Sequence, residues 1–116
     1  MSELSVGFAA GIIEDPATGD APGWEDVRTW AQLSEEHELD TFWVPDELVW
    51  ENPEDPRRTA GWWECVAITA AVAASTSTIQ IGSWVLSALH RNPGLTVKAV
   101  EALDEISDGR FVFGFG

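Results

Sequence analysis

Basic side chains are scarce in this sequence. Six Lys and Arg stand against twenty Asp and Glu, giving a formal net charge of −14, and Lys98 is the single lysine. A nucleic-acid surface needs clustered Lys and Arg to neutralise phosphates, so no nucleic-acid partner is expected. The acidity is read as a solvated surface that favours solubility, with a specific cationic partner as the sharper alternative. Cysteine is nearly absent as well. Cys65 stands alone, so no intramolecular disulfide can form, and its apolar helical setting suggests a small buried hydrophobe. No Cys or His pair has metal-ligand spacing, so no metal site is expected.

Long apolar runs are missing too. The longest, "CVAITAAVAA", is interrupted by Thr69 and is too short to span a bilayer. The start, "MSELSVGFAA", lacks the basic residues and long apolar stretch of a signal peptide. These absences predict a cytoplasmic protein with no membrane partner. Three nucleotide and hydrolase motifs are also lacking: no G-x-G-x-x-G follows the first apolar run, and there is neither a Walker A loop nor a G-x-S-x-G elbow.

What is present is a regular alternation within 116 residues, 45% of them hydrophobic, enough for one domain with a real core. "LSVGFAA" (residues 4–10) reads as a buried strand. A loop rich in Gly, Pro and Asp leads to "WEDVRTWAQLSEEHEL", where Trp24, Val27, Trp30, Ala31 and Ser34 fall at helical spacing. "TFWVPD" is a second strand stopped by Pro45, and "ELVWENPEDPRRTAG" reads as a long loop. "WWECVAITAAVAAS" is a second helix, with Ala67, Ala70, Ala71 and Ala74 permitting close approach of another backbone. "TIQIGSWVL" is a third strand, in which period two puts Ile79, Ile81 and Val85 on one face. Asn92 and Pro93 then make a helix start, as N-cap and first helical residue. Val97, Ala99, Val100 and Leu103 are that helix's apolar positions, and Asp108-Gly109 its stop. "RFVFGF" closes the series as a fourth strand, with Phe111, Phe113 and Phe115 on one face and Val112, Gly114 and Gly116 on the other.

The order β-α-β-α-β-α-β argues for an α/β fold with a parallel sheet. Strands start near residues 4, 41, 79 and 111. Units of about 32 to 38 residues suit a (β/α)8 barrel of roughly 250 residues, and a doubly wound sheet is the rival. In either architecture chemistry collects where strands end. That rule nominates Ala9, Ala10 and Gly11, then Pro45, Asp46, Glu47 and Trp50, and then Ser87 to Arg91. Each has a plainer reading. Asp46 and Glu47 can simply open a solvated loop, and His90 and Arg91 can anchor one. Trp62 and Trp63 read as packing residues, and His37 as a surface residue.

These stretches also carry a resemblance. "TFWVPDE", "WWECVAITAAVAASTSTIQIGSWV" and above all "HRNPGLTVKAVEALDEISDGRFVFGFG" resemble the N-terminal half of the luciferase-like monooxygenase family, the bacterial-luciferase-type flavin and deazaflavin oxidoreductases. The resemblance covers nearly the whole chain and favours the barrel. It implies a partial TIM (β/α)8 barrel, with residues 1–116 as the N-terminal half: four strands and three helices. It also implies an oxidoreductase or monooxygenase acting on a small organic substrate with the deazaflavin coenzyme F-420 (F420), or alternatively reduced FMN. The Asp at the end of the second strand and the "HRNP" to "SDGRF" run lean toward F420.

By the same resemblance Asp46 and Glu47 are the candidate catalytic residues. Family members of the F420 type commonly have Asp-His there, so Glu47 replaces an imidazole and is assigned as a general acid. The implied cofactor contacts are Ala9, Asp46, Trp84, Val85 and Gly114. Trp84–Val85 matches the site of a non-proline cis peptide that backs the ring in deazaflavin-dependent members, and the glycine face of the last strand would leave room near the ring. The second and third helices are the implied homodimer interface. With four strands the sheet would expose edges at its first and fourth strands, which invite association. Hence two further expectations: a half-barrel subunit that pairs with a complementary chain or a second copy, or a non-catalytic truncated remnant. Loops that would choose a substrate lie beyond the last strand.

Overall fold

The computed structural model describes residues 4–116. Each helix starts on a local device legible in its residues. At α1 (Trp24–Glu36) Gly23 is extended, and the Asp26 carboxylate turns back to accept the Gly23 N–H at 2.8 Å. That answers one of the donors a helix start leaves unpaired. At α2 (Cys65–Ser75) the Glu64 carboxylate accepts the Ala67 N–H at 2.7 Å. At α3 (Pro93–Ser107) Asn92 is the expected N-cap, accepting the Gly94 N–H at 2.9 Å, with Pro93 at the first position. That helix stops at Asp108 and Gly109, whose φ angles are 54° and 74°. The Gly109 N–H returns to the Asp104 carbonyl at 2.9 Å.

The strands are β1 (Gly7–Ala9), β2 (Thr41–Val44), β3 (Val49–Glu51), β4 (Thr59–Gly61), β5 (Gln80–Ser83) and β6 (Phe111–Val112). Four of them form a parallel sheet in the order β1-β2-β5-β6. The α/β alternation is therefore as expected, with shorter strands. Leu4 is exposed, and the first strand begins only at Gly7. The long stretch after β2, expected as a loop, instead holds the antiparallel pair β3–β4. Its backbone finds further partners in the segment after β1. Glu14 N–H donates to the Gly61 carbonyl at 2.9 Å, and Gly61 N–H donates to Glu14 Oε2 at 2.7 Å. Polar backbone is thus satisfied without a third sheet.

Parallel register puts paired residues on the same face. One face carries Phe8, Phe42 and Ile81 in register, and Phe8 stacks on Phe42 with ring centroids 5.5 Å apart. It packs against Val27 and Ala31 of α1 and Ile68 and Val72 of α2 to make the core. The other face carries Ala9, Trp43 and Gly82 in register. Here a single indole replaces a layer of side chains. A Cβ on Gly82 would lie 2.2 Å from Trp43 Cζ3, and one on Gly7 would lie 2.5 Å from Trp43 Nε1. The third strand departs from its predicted period. Ile79 and Ile81 are buried, but Val85 is exposed because β5 ends at Ser83.

Two polar clamps hold the end of the sheet where strands begin. Glu35 Oε1, at the end of α1, accepts the N–H groups of Ser77, Thr78 and Ile79 at 2.7, 2.5 and 3.1 Å, and the Thr78 hydroxyl at 3.0 Å. Desolvation alone would raise its pKa, but these four donors hold it at about 2. Arg110 covers the end of α2, donating to the carbonyls of Ala73, Thr76 and Ile79 at 2.9, 3.1 and 2.9 Å. Among the described residues no helix is long and apolar enough to cross a membrane.

Two outcomes follow from these contacts. Gly82→Ala should cost about 1–3 kcal/mol in urea unfolding, because the new methyl meets the Trp43 ring rather than open space. Glu35→Gln should cost about 1 kcal/mol at neutral pH, a modest figure because the carboxylate is partly open to water. A depressed carboxyl stabilises the fold above its unfolded value of 4.5 and loses that contribution as pH falls toward about 2. The difference in unfolding free energy between wild type and Glu35→Gln should therefore shrink across that window.

Candidate functional site

Parallel pairing brings the C-terminal ends of β1, β2 and β5 side by side, so the segments leaving them meet at one end of the sheet. There Ala9, Ala10, Pro45, Glu47, Trp62, Trp84 and Val85 line a cleft of about 440 Å³. A hollow of about 380 Å³ lined by Gly7, Ala9, Trp43 and Trp84 adjoins it along the glycine face of the sheet. The small Ala9 side chain on β1 leaves this space open, and Trp84, 59% exposed, forms part of its wall. The Trp84–Val85 peptide bond is cis, at the dipeptide the resemblance named.

Of the residues singled out in the sequence, Ala9, Glu47, Trp84 and Val85 meet in the cleft. Glu47 is exposed and has no hydrogen-bond or ion-pair partner among the described residues. Asp46, its neighbour, faces the other way in chemical terms. Its side chain is fully buried, and Arg91 grips it with two bonds, Nη1 to Oδ2 at 2.5 Å and Nη2 to Oδ1 at 2.7 Å. Ser87 N–H donates to Oδ2 at 2.8 Å, and His90 Nδ1 lies 3.6 Å away. Burial would raise the Asp46 carboxyl, but the Arg91 guanidinium and the Ser87 N–H hold it below the ordinary aspartate range. Arg91 also donates to Glu64, the N-cap of α2. One guanidinium thus ties together the exits of β2 and β5 and the start of α2.

Gly114 lies under the wall, not along it. Its carbonyl accepts the Ser83 hydroxyl and the Leu86 N–H, each at 2.8 Å. A Cβ there would lie 2.1 Å from the Ser83 carbonyl oxygen, so the absent side chain serves a close backbone approach. The sequence reading missed Trp62 as a cleft residue. It lines the cleft, and its buried indole N–H has no partner among the described residues. The signal was hidden because Trp62 read as a packing residue at the start of the second helix, whereas that helix begins at Cys65 and Trp62 instead bridges to Ile13. Cys65 is buried behind the cleft with its thiol pushed up to about 12, chiefly by burial and then by the Asp46 charge. Among the described residues no group of His, Cys, Asp and Glu is placed to hold a metal ion.

A parallel α/β sheet with an open, aromatic-walled cleft beyond its strand ends is the architecture of a barrel segment, and the cleft is its candidate ligand site. The chain belongs to the luciferase-like monooxygenase family, whose sequence pattern it matches over residues 5–116. It is 33% identical over 102 residues to an F420-dependent glucose-6-phosphate dehydrogenase of Amycolatopsis mediterranei, covering 86% of this chain and 29% of that one. Among solved structures it resembles a riboflavin lyase with modified FMN and riboflavin, at 19% identity and a TM-score of 0.80, covering 99% of this chain and 30% of that one. It also resembles an F420-dependent secondary alcohol dehydrogenase in complex with an F420–acetone adduct, at 18% identity and a TM-score of 0.78, covering 99% and 32%. The fold is that of a partial (β/α)8 barrel, and the chain spans about a third of these relatives' lengths.

The buried pair makes a sharp prediction. Arg91→Met leaves the Asp46 carboxylate buried without its cation, and unfolding in urea should show a loss of about 3 kcal/mol. Combining it with Asp46→Asn should recover much of that loss in a double-mutant cycle. Strict additivity of the two changes would show that the pair is not coupled.

Proposed function

We propose that residues 1–116 supply the N-terminal half of a luciferase-like barrel, and that the cleft forms one wall of a site for F420, with FMN as the alternative ligand. The protein so formed is a cytoplasmic oxidoreductase acting on a small organic substrate. The observation that carries this is the coincidence of the family match over residues 5–116 with a cleft at the strand ends lined by Ala9, Trp84 and Val85. The residues suit a flat heteroaromatic ring. The small Ala9 side chain leaves its plane free, Trp84 and Val85 offer exposed apolar surface, and the buried Trp62 N–H lacks an acceptor.

When bound, such a ring supplies two-electron redox chemistry. The chain's own residues bind it, exclude water and handle a proton. Glu47, the free carboxylate of the cleft, is the proton-transfer group, exchanging a proton with the substrate at a carboxylate oxygen. Asp46 acts at one remove. Its oxygens are occupied by Arg91 and Ser87, so it positions the loop that carries the Trp84–Val85 wall.

The remaining half of the barrel is supplied beside β1 and β6, the outer strands of the sheet. A hollow of about 380 Å³ between α3 and β6, lined in part by Val97, Val100, Phe111 and Phe113, is suited to a further helix or strand. Assembly as a homodimer through α2 and α3 uses their outward small and apolar residues, Ala67, Ala74, Leu95 and Ile106.

Fluorescence titration with F420 and with FMN tests the reading. F420 should bind more tightly, and Ala9→Trp, which fills the cleft without touching the core, should weaken binding at least about tenfold. If neither coenzyme binds, the assignment fails. In the assembled enzyme Glu47→Gln should lower turnover and remove one limb of the pH–rate profile. Unchanged turnover and profile would rule out Glu47 as the proton carrier.

A further inference from the structure

The charge around the cleft says which substrates this wall can take. Every Lys and Arg of the chain is already engaged. Arg28 pairs with Glu25, Arg57 and Arg58 with Asp55, and Lys98 with Glu101. Arg110 is spent on backbone carbonyls at the end of α2. Arg91, which grips the Asp46 beside Glu47, is 10% exposed and divided between Asp46 and Glu64. His90 leans on the same Asp46 carboxylate. Among the described residues no Lys, Arg or His lines this cleft. The reverse holds for negative charge, because Glu47 lines the cleft with both oxygens unpaired among the described residues. Trp62 and Trp84 line the same cleft.

An unpaired carboxylate among indoles is recognition chemistry for a hydrogen-bond donor on an apolar frame, strongest when that donor is positively charged. A carboxylate or phosphate placed there would meet like charge with no counter-ion. We infer that this wall of the site favours an aromatic or apolar molecule presenting a neutral or cationic donor, a hydroxyl or an amine, to Glu47, and disfavours an anion at that position. This rests on the reading proposed above, in which Glu47 meets the substrate beside the bound ring.

Three probes of one frame test the inference on the 116-residue chain: 3-phenylpropylammonium, 3-phenylpropan-1-ol and 3-phenylpropanoate, compared by calorimetric titration at neutral pH and moderate salt. The ammonium should bind best and the alcohol next, with the carboxylate at least about tenfold weaker than the ammonium. Glu47→Gln, at an exposed and unpaired position, should keep its far-ultraviolet spectrum and bring the three affinities within about twofold. Glu36→Gln removes an equal charge from the outer face of α1 and should leave the preference intact, which separates the local carboxylate from the net charge of −14. The inference is overturned if the carboxylate binds as well as the ammonium, if Glu47→Gln leaves the order unchanged, or if no probe binds wild type. A parallel titration with F420 and FMN keeps the two conclusions apart. Coenzyme binding without charge preference sinks only the inference, whereas charge preference without coenzyme binding sinks only the cofactor assignment.

Discussion

The cleft depends on one buried ion pair. Asp46 and Arg91 are 45 residues apart in the chain, yet two short charge-assisted bonds join them at the head of the sheet. A carboxylate with no exposure is costly unless its partners are complete, and here they are: two guanidinium nitrogens and a backbone N–H. Because the guanidinium also reaches Glu64, three segments that leave the sheet in different directions are fixed relative to one another. The wall of Trp84 and Val85 lies in one of those segments, between Ser83 and the Ser87 that Asp46 holds.

The opposite end of the sheet is held by an equivalent device of simpler chemistry. Glu35 gathers three consecutive backbone N–H groups and a hydroxyl at the entry to β5, while Arg110 gathers carbonyls at the exit of α2. Both ends of the parallel sheet are therefore tied by charged side chains, and its middle is filled by apolar ones. The acidic excess of the chain is not uniform in effect. Asp46, Glu35 and Glu64 are consumed in structure, and Glu47 is left for solvent or ligand. Two adjacent carboxylates thus divide the labour: one shapes the site and the other faces it.

Much of the fold was legible because its signals are local. Asn92-Pro93 marks a helix start through capping and a fixed φ, and Asp108-Gly109 marks its stop through left-handed backbone. The apolar runs around Phe42 and Ile81 read as strands and are buried in register. The β3–β4 hairpin was not legible. Each strand has three residues, its two prolines suggest a loop, and it is held by Glu14 from far back in the chain. The site was legible as a set of strand ends, but not in its internal roles. Nothing in "VPDE" says that the first acid turns toward a guanidinium and the second toward the cleft.

By itself the sequence determined the alternation of strands and helices, the caps, the buried apolar stripes and the family resemblance, all of which rest on neighbours a few residues apart. Tertiary structure alone decided that Trp43 lies across Gly7 and Gly82, that Gly114 yields to the Ser83 carbonyl, and that Asp46 is spoken for while Glu47 is free. Those outcomes depend on which backbones are brought within a few ångströms across the sheet and on where the few cations are spent, and no short-range pattern encodes either.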